Sequence, residues 1–144
     1  MLLRPSIHTF KSNNDTSMKK VVFTVSAPAP IGPYSQAVSA NGMIYLSGQI
    51  AIDPGTGNLA NTKDIGEETK WVMEHIKTIL ESAGSSMNKV VKCGIFLKDM
   101  NDFAEVNKVY GSYFQQDPPA RETVQVSRLP KDVNVEISAI ALAE

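Results

Sequence analysis

In the last quarter of the chain, Arg121, Thr123, Gln125 and Ser127 alternate with Val124 and Val126. A little further on, Asn134, Glu136 and Ser138 alternate with Val133, Val135 and Ile137. A two-residue period is that of β-strands, so each segment turns its polar set to one face and its valines to a core. Arg128–Lys131 has the length of an ordinary hairpin loop. Pairing the strands across it sets Thr123 opposite Glu136 and Arg121 opposite Ser138, so that an arginine, a carboxylate and two hydroxyls share one face. Arginine offers a planar fork of donors that fits a carboxylate at two points. An ionised glutamate can hold a water and take its proton. Together they suit a small ligand with a carboxylate beside an electrophilic carbon. The same pattern equally describes a cross-strand ion pair on a solvated face, and both readings stand at this point.

Other residues carry weaker signals. Tyr34 follows Ser26–Pro33, a stretch whose three prolines stiffen the backbone and remove donors. It is either a fixed site residue or a packing tyrosine. Asn107 interrupts an apolar helical stripe between Phe103 and Tyr110, as a ligand contact or as a bond to a neighbouring loop. Gly48 ends a strand, where it admits the close approach of a ligand or of backbone, or marks a bulge. Cys93 lies mid-strand and is expected to be an inert buried thiol. One cysteine, and two histidines as far apart as His8 and His75, suggest neither a disulfide nor a metal site.

These residues must be positioned by the following elements. Lys19–Val25 reads as a strand. Gln36–Ala40 and Met43–Ser47 flank Asn41-Gly42, a strong hairpin signal, and Asp53–Gly57 is a turn. Asp64 with Glu67 resembles a helix start. Ile65, Thr69, Val72, Ile76, Leu80 and Ala83 then recur at helical spacing up to Gly84. Lys89–Leu97 is a buried strand. A second helix opens near Asp102, with Phe103, Val106, Tyr110 and Tyr113 or Phe114 as its stripe. The last strands are Glu122–Ser127 and Val133–Leu142. This order implies an α+β domain with a mixed sheet and two helices on one face. The other face needs a second cover, and self-association is the expected one.

The 144 residues, 42% hydrophobic and 20% charged, fit one domain over 19–144. A net charge of −1 provides no general attraction to nucleic acid, and no apolar run is long enough for a membrane helix. Residues 1–18 carry Arg4 and Lys11 and no acid before Asp15, which suits either a mitochondrial targeting segment or a flexible tail. The expected location is the cytoplasm or the mitochondrial matrix.

Five segments together resemble the RidA/YjgF family: Pro30–Ala37, Ile44–Ile50, Asn101–Asn107, Pro119-Ala-Arg121 and Leu129–Ile140. The resemblance runs from about residue 20 to the end. It implies a chorismate-mutase-like fold whose sheets form a central barrel in a homotrimer, with clefts between subunits. It also implies hydrolysis of 2-iminobutanoate and 2-iminopropanoate, released by pyridoxal-phosphate enzymes, without a cofactor or metal. By position Arg121 resembles the arginine that clamps the substrate carboxylate, and Glu136 the glutamate associated with the attacking water. Tyr34, Gly48 and Asn107 match pocket residues. Thr123 stands where many bacterial members carry a cysteine, which argues for direct attack by water and not by a thiol. Glu122 replaces a small residue and raises the question of whether it pairs with Arg121. Two other functions go with the resemblance. One is an endoribonuclease or translation inhibitor, for which the chain has no basic stripe or histidine near Arg121. The other is a non-enzymatic, chaperone-like trimer that binds small acids.

Overall fold

The computed structural model describes residues 18–144; the segment read as a tail or targeting sequence lies outside them except for Met18. The strands are β1 (Lys20–Val22), β2 (Ala37–Ala40), β3 (Met43–Gln49), β4 (Val90–Leu97), β5 (Ala120–Gln125) and β6 (Val135–Leu142). The helices are α1 (Ile65–Ser82) and α2 (Phe103–Ser112). One six-stranded sheet runs in the order β1-β2-β3-β6-β4-β5. It is mixed, because β4 pairs with β5 in parallel and with β6 antiparallel.

Local chemistry explains most boundaries. Asn41 and Gly42 both adopt positive φ, 50° and 75°, so β2 and β3 join through the left-handed turn that an Asn-Gly pair favours. Asp64 caps α1, its side chain accepting from the Glu67 N–H at 2.8 Å, while the Glu67 carboxylate accepts from the Lys63 N–H. Gly84 at φ 79° ends the helix. β1 stops at Val22, shorter than the β-branched run suggests, because Thr24 turns to hydrogen-bond the Gln36 side chain.

Both helices cover one face. Val72, Met73, Ile76, Ile79 and Leu80 of α1 and Val106 and Tyr110 of α2 pack on Ile44, Ile95, Leu97, Val135 and Ile137. The opposite face is open yet apolar, with Tyr45 44%, Leu142 43% and Val124 41% exposed. Such a face is what the second cover was expected to bury.

The expected hairpin between the last two strands does not form. β4 lies between β5 and β6, and residues 126–134 step across it through one 3₁₀ turn at Pro130–Asp132. Thr123 therefore does not face Glu136, nor Arg121 Ser138. Through β4, Thr123 is level with Ile137 and Arg121 with Ala139. The expected facing of β5 is also reversed: Arg121 and Thr123 lie on the helix side, and Val124 lies on the open face with Phe96 and Glu136. An apolar residue on an apolar open face reads like a core residue.

Glu68, buried in the first turns of α1, accepts from the Asn134 N–H and from Asn134 Nδ2, both at 2.8 Å. This ties α1 to the entry of β6, two residues before Glu136. Glu68→Ala is expected to cost about 1.5–3 kcal/mol, the usual contribution of a hydrogen bond to a charged group. Glu68→Gln, which keeps one acceptor, should cost less. Urea midpoints of the three proteins measure this.

Candidate functional site

The sequence-derived candidates gather into two groups on opposite faces of the sheet. The first is on the open side. The stretch from Thr24 to Tyr34 is held by Gln36, whose buried amide accepts from the Thr24 N–H and donates to the carbonyls of Thr24, Ala27 and Pro28. Tyr34 closes the loop on itself, its Oη accepting from the Ile31 N–H at 3.1 Å. Between this loop, the end of β3 and β6 lies a cavity of about 270 Å³ lined by Tyr34, Gly48 and Glu136. Its remaining walls, including Ala29, Ile31, Ile50 and Pro130, are largely apolar.

Glu136 is half-buried there, and among the described residues no hydrogen bond or salt bridge engages its carboxylate. Burial alone raises its pKa above the ordinary glutamate value. Gly48 makes room for it. The ladder between β3 and β6 shifts register between Leu46 and Gln49, so the glycine lies at a bulge. A Cβ on Gly48 would overlap Glu136 Oε1 and stand 2.8 Å from its Cδ. The bulge reading of Gly48 holds, and what approaches it closely is the Glu136 side chain, not backbone.

The second group is on the helix side, at the edge strand β5. Arg121 Nη1 donates to Asn107 Oδ1 at 2.6 Å. The Arg121 Cζ lies 5.6 Å from the Phe103 ring centre and 5.1 Å from that of Tyr110. Asn107 therefore points to the arginine and not to a neighbouring loop. Thr123 follows Arg121 on the same face, its Oγ1 buried without a hydrogen-bond partner. Cys93, level with Arg121 on β4, is buried, and burial pushes its thiol pKa up, as suits an inert core cysteine. Glu122 takes no part: it lies on the open face and pairs with Lys92 at 3.4 Å. The cross-strand Arg121–Glu136 ion pair is excluded within one chain, because the two project from opposite faces.

The apolar stripe of α2 holds for the buried Tyr110, whereas Phe103 is exposed; the spacing was not read as placing both rings around Arg121. Their spacing to Asn107, four residues before and three after, puts all three on one helix face, and that was the available signal. Gln36 was also missed; only its place after the proline-rich loop marked it. Among the described residues no group of three or more histidine, cysteine or carboxylate side chains is arranged to hold a metal.

Gly48→Ala is expected to leave the fold intact and displace the Glu136 carboxylate. Near-native circular dichroism with loss of any activity that uses Glu136 is the expected pair of results; an active Gly48→Ala protein would mean that the close packing is incidental.

The family described as Endoribonuclease L-PSP matches residues 24–143. A RutC family protein of Pyrococcus horikoshii is 56% identical over 127 residues, covering 88% of this chain and all of that protein. A mouse protein named 2-iminobutanoate/2-iminopropanoate deaminase is 47% identical over 125 residues, covering 87% of this chain and 92% of that one. The crystal structure of Escherichia coli TdcF with bound serine superposes with a TM-score of 0.80 at 42% identity, covering 85% of this chain and 98% of that one. With a mixed sheet, two helices on one face and relatives of this closeness, the chain belongs to the RidA/YjgF family.

Proposed function

We propose that the protein hydrolyses small 2-imino acids to 2-keto acids and ammonia, at sites that two copies of the chain build together in a homotrimer. One observation carries the reading: Arg121 and Glu136, the two groups this chemistry requires, lie on opposite faces of one sheet and can meet only between copies. The apolar open face supplies the surface for such an assembly. Relatives named as imine deaminases, and a related structure holding serine, a small molecule with a carboxylate next to a nitrogen-bearing carbon, support the substrate class.

The chemistry follows from the groups. Arg121 of one copy receives the substrate carboxylate on its guanidinium. Glu136 of the other holds a water against the imine carbon and takes its proton as the C–O bond forms. The C=N electron pair moves to nitrogen, which is protonated. The resulting carbinolamine then loses a proton from its hydroxyl and ammonia from carbon, giving the keto acid. Thr123 lies close to the arginine and not to the water, so its proposed role is in holding the carboxylate end. Tyr34 and Gly48 shape the water side. No step requires a cofactor. A ribonuclease would need an acid–base pair at a ribose. The described histidine, His75, is buried with Nε2 on the Ile52 carbonyl, and burial lowers its pKa.

The activity is tested by adding the protein to a threonine dehydratase reaction containing semicarbazide, which traps free imine; faster keto-acid release is expected. Unchanged release would end the reading. Glu136 must be ionised to act, and its raised pKa means that falling pH protonates it early. The acid limb of the kcat/KM profile should thus lie above the ordinary glutamate range. Glu136→Gln should lower kcat by about 10²–10⁴.

Arg121→Ala and Glu136→Gln should each be inactive alone. Refolded together, they should recover activity, because about a quarter of sites in a randomly mixed cyclic assembly join an intact Arg121 to an intact Glu136. No recovery from folded mixed oligomers would overturn the shared site.

A further inference from the structure

Phe103 opens α2 as a large apolar side chain left partly in solvent. It is 37% exposed, and it is not among the buried or half-buried side chains of the two apolar clusters of the domain. What it faces is the Arg121 guanidinium, which Tyr110 faces as well. Asn107, between them on the same side of α2, accepts from Nη1. Among the described residues nothing accepts from Nε or Nη2. One group is thus held by two rings and an amide on a single rigid helix, while the edge carrying Nε and Nη2 is left free. That edge presents two parallel N–H bonds, the geometry that fits a carboxylate at two points.

We propose that Phe103 and Tyr110 are positioning residues for Arg121. Their rings hold the plane of the guanidinium, Asn107 fixes its rotation, and the Nε–Nη2 edge is the one that takes the ligand carboxylate. This deepens the reading of Arg121 as the carboxylate anchor and rests on it. It does not depend on turnover, because an anchor held this way also binds a keto acid. A guanidinium free to swing would present a carboxylate with several donor edges and lose orientation on binding; the rings remove that freedom beforehand. They also attract the cation through their faces.

The test is binding of 2-oxobutanoate to the assembled protein, followed by NMR titration, alongside KM and kcat for the imine. Phe103→Leu keeps an apolar side chain but removes the ring. It should weaken 2-oxobutanoate binding and raise KM by about twofold to fivefold, the range expected from a partly exposed cation–ring contact. kcat should change little, since the carboxylate is held alike before and during reaction. Phe103→Tyr should restore both constants. Melting temperature and oligomer size should remain those of the wild type, which a general packing defect would not allow. Tyr110→Leu removes the second ring on the buried side and should weaken binding further where it folds. Phe103→Leu decides the matter by itself, because its site is at the surface. Wild-type affinity and KM in Phe103→Leu, or a loss that Phe103→Tyr fails to restore, would overturn the proposal. A wild-type protein that binds 2-oxobutanoate without hydrolysing imine would refute the deaminase reading; loss of binding in Phe103→Leu would then still support the positioning role.

Discussion

The insertion of β4 between β5 and β6 is the constraint on which the rest of the molecule depends. β4 presents Cys93, Ile95 and Leu97 to the helices, all buried, and carries the longest pairings of the sheet on both its edges. Because it runs parallel to β5, α2 must cross over the sheet between them, and the crossover brings the Phe103–Tyr110 face onto the first residues of β5. Because it runs antiparallel to β6, residues 126–134 must span a whole strand and place Glu136 beside the bulge in β3. A direct β5–β6 hairpin would have put Arg121 and Glu136 on one face, where they would neutralise each other. With β4 between them and the observed register, they point opposite ways.

The two faces of the sheet differ in how complete they are. The helix side is close-packed and nearly dry, with Ile44, Ile95, Ile137 and Val135 inaccessible to solvent. The open side pairs Tyr45 with Ile140 and sets Val124 near Phe96, while the Lys92–Glu122 pair, Ser138 and Glu136 are its polar groups. Apolar surface removed from water contributes about 25 cal/mol per Å². Leaving such a face in water is costly, and Glu136 projects from the same side of the sheet. Tyr45, Leu142 and the Glu136 cavity lie on the same side of the sheet.

Much of this is local enough to be legible in the residues. Asn41-Gly42 specifies its turn through two positive φ angles, and Asp64 with Glu67 specifies the start of α1 through two hydrogen bonds, whatever the rest of the chain does. The helical stripes likewise report the covered face. Strand order is different in kind, since residues 98–119 separate β4 from β5 and nothing in Arg128–Lys131 announces that a third strand lies between its neighbours. Parity failed at Val124 for a related reason: alternation distinguishes two faces but does not label them when both are apolar. The candidate residues themselves were legible because their types carry their chemistry. Their grouping was not, because it depends on which strand lies next to which.

Among the described residues, the unpartnered polar groups include two that the proposed reaction uses, Glu136 and Thr123; the Tyr110 hydroxyl beside Arg121 is also buried without a partner. Glu136 is half-buried with no partner among the described residues, at a cost that burial expresses as a raised pKa. Gly48 gives up a side chain in the sheet so that this carboxylate has room. Thr123 keeps a buried hydroxyl unbonded beside an arginine with two donors free. Elsewhere the buried polar side chains are well satisfied: Gln36 makes four hydrogen bonds, Glu68 two, and His75 one to a carbonyl. A chain that satisfies its structural polar groups so fully, and leaves these two clusters open, stores its unmet hydrogen bonding where a ligand carboxylate and a water would meet it. The tight closure of the scaffold is what keeps them open. Gln36 ties the proline-rich loop beside the cavity by its backbone, and the α2 face holds the Arg121 guanidinium by one amide and two rings.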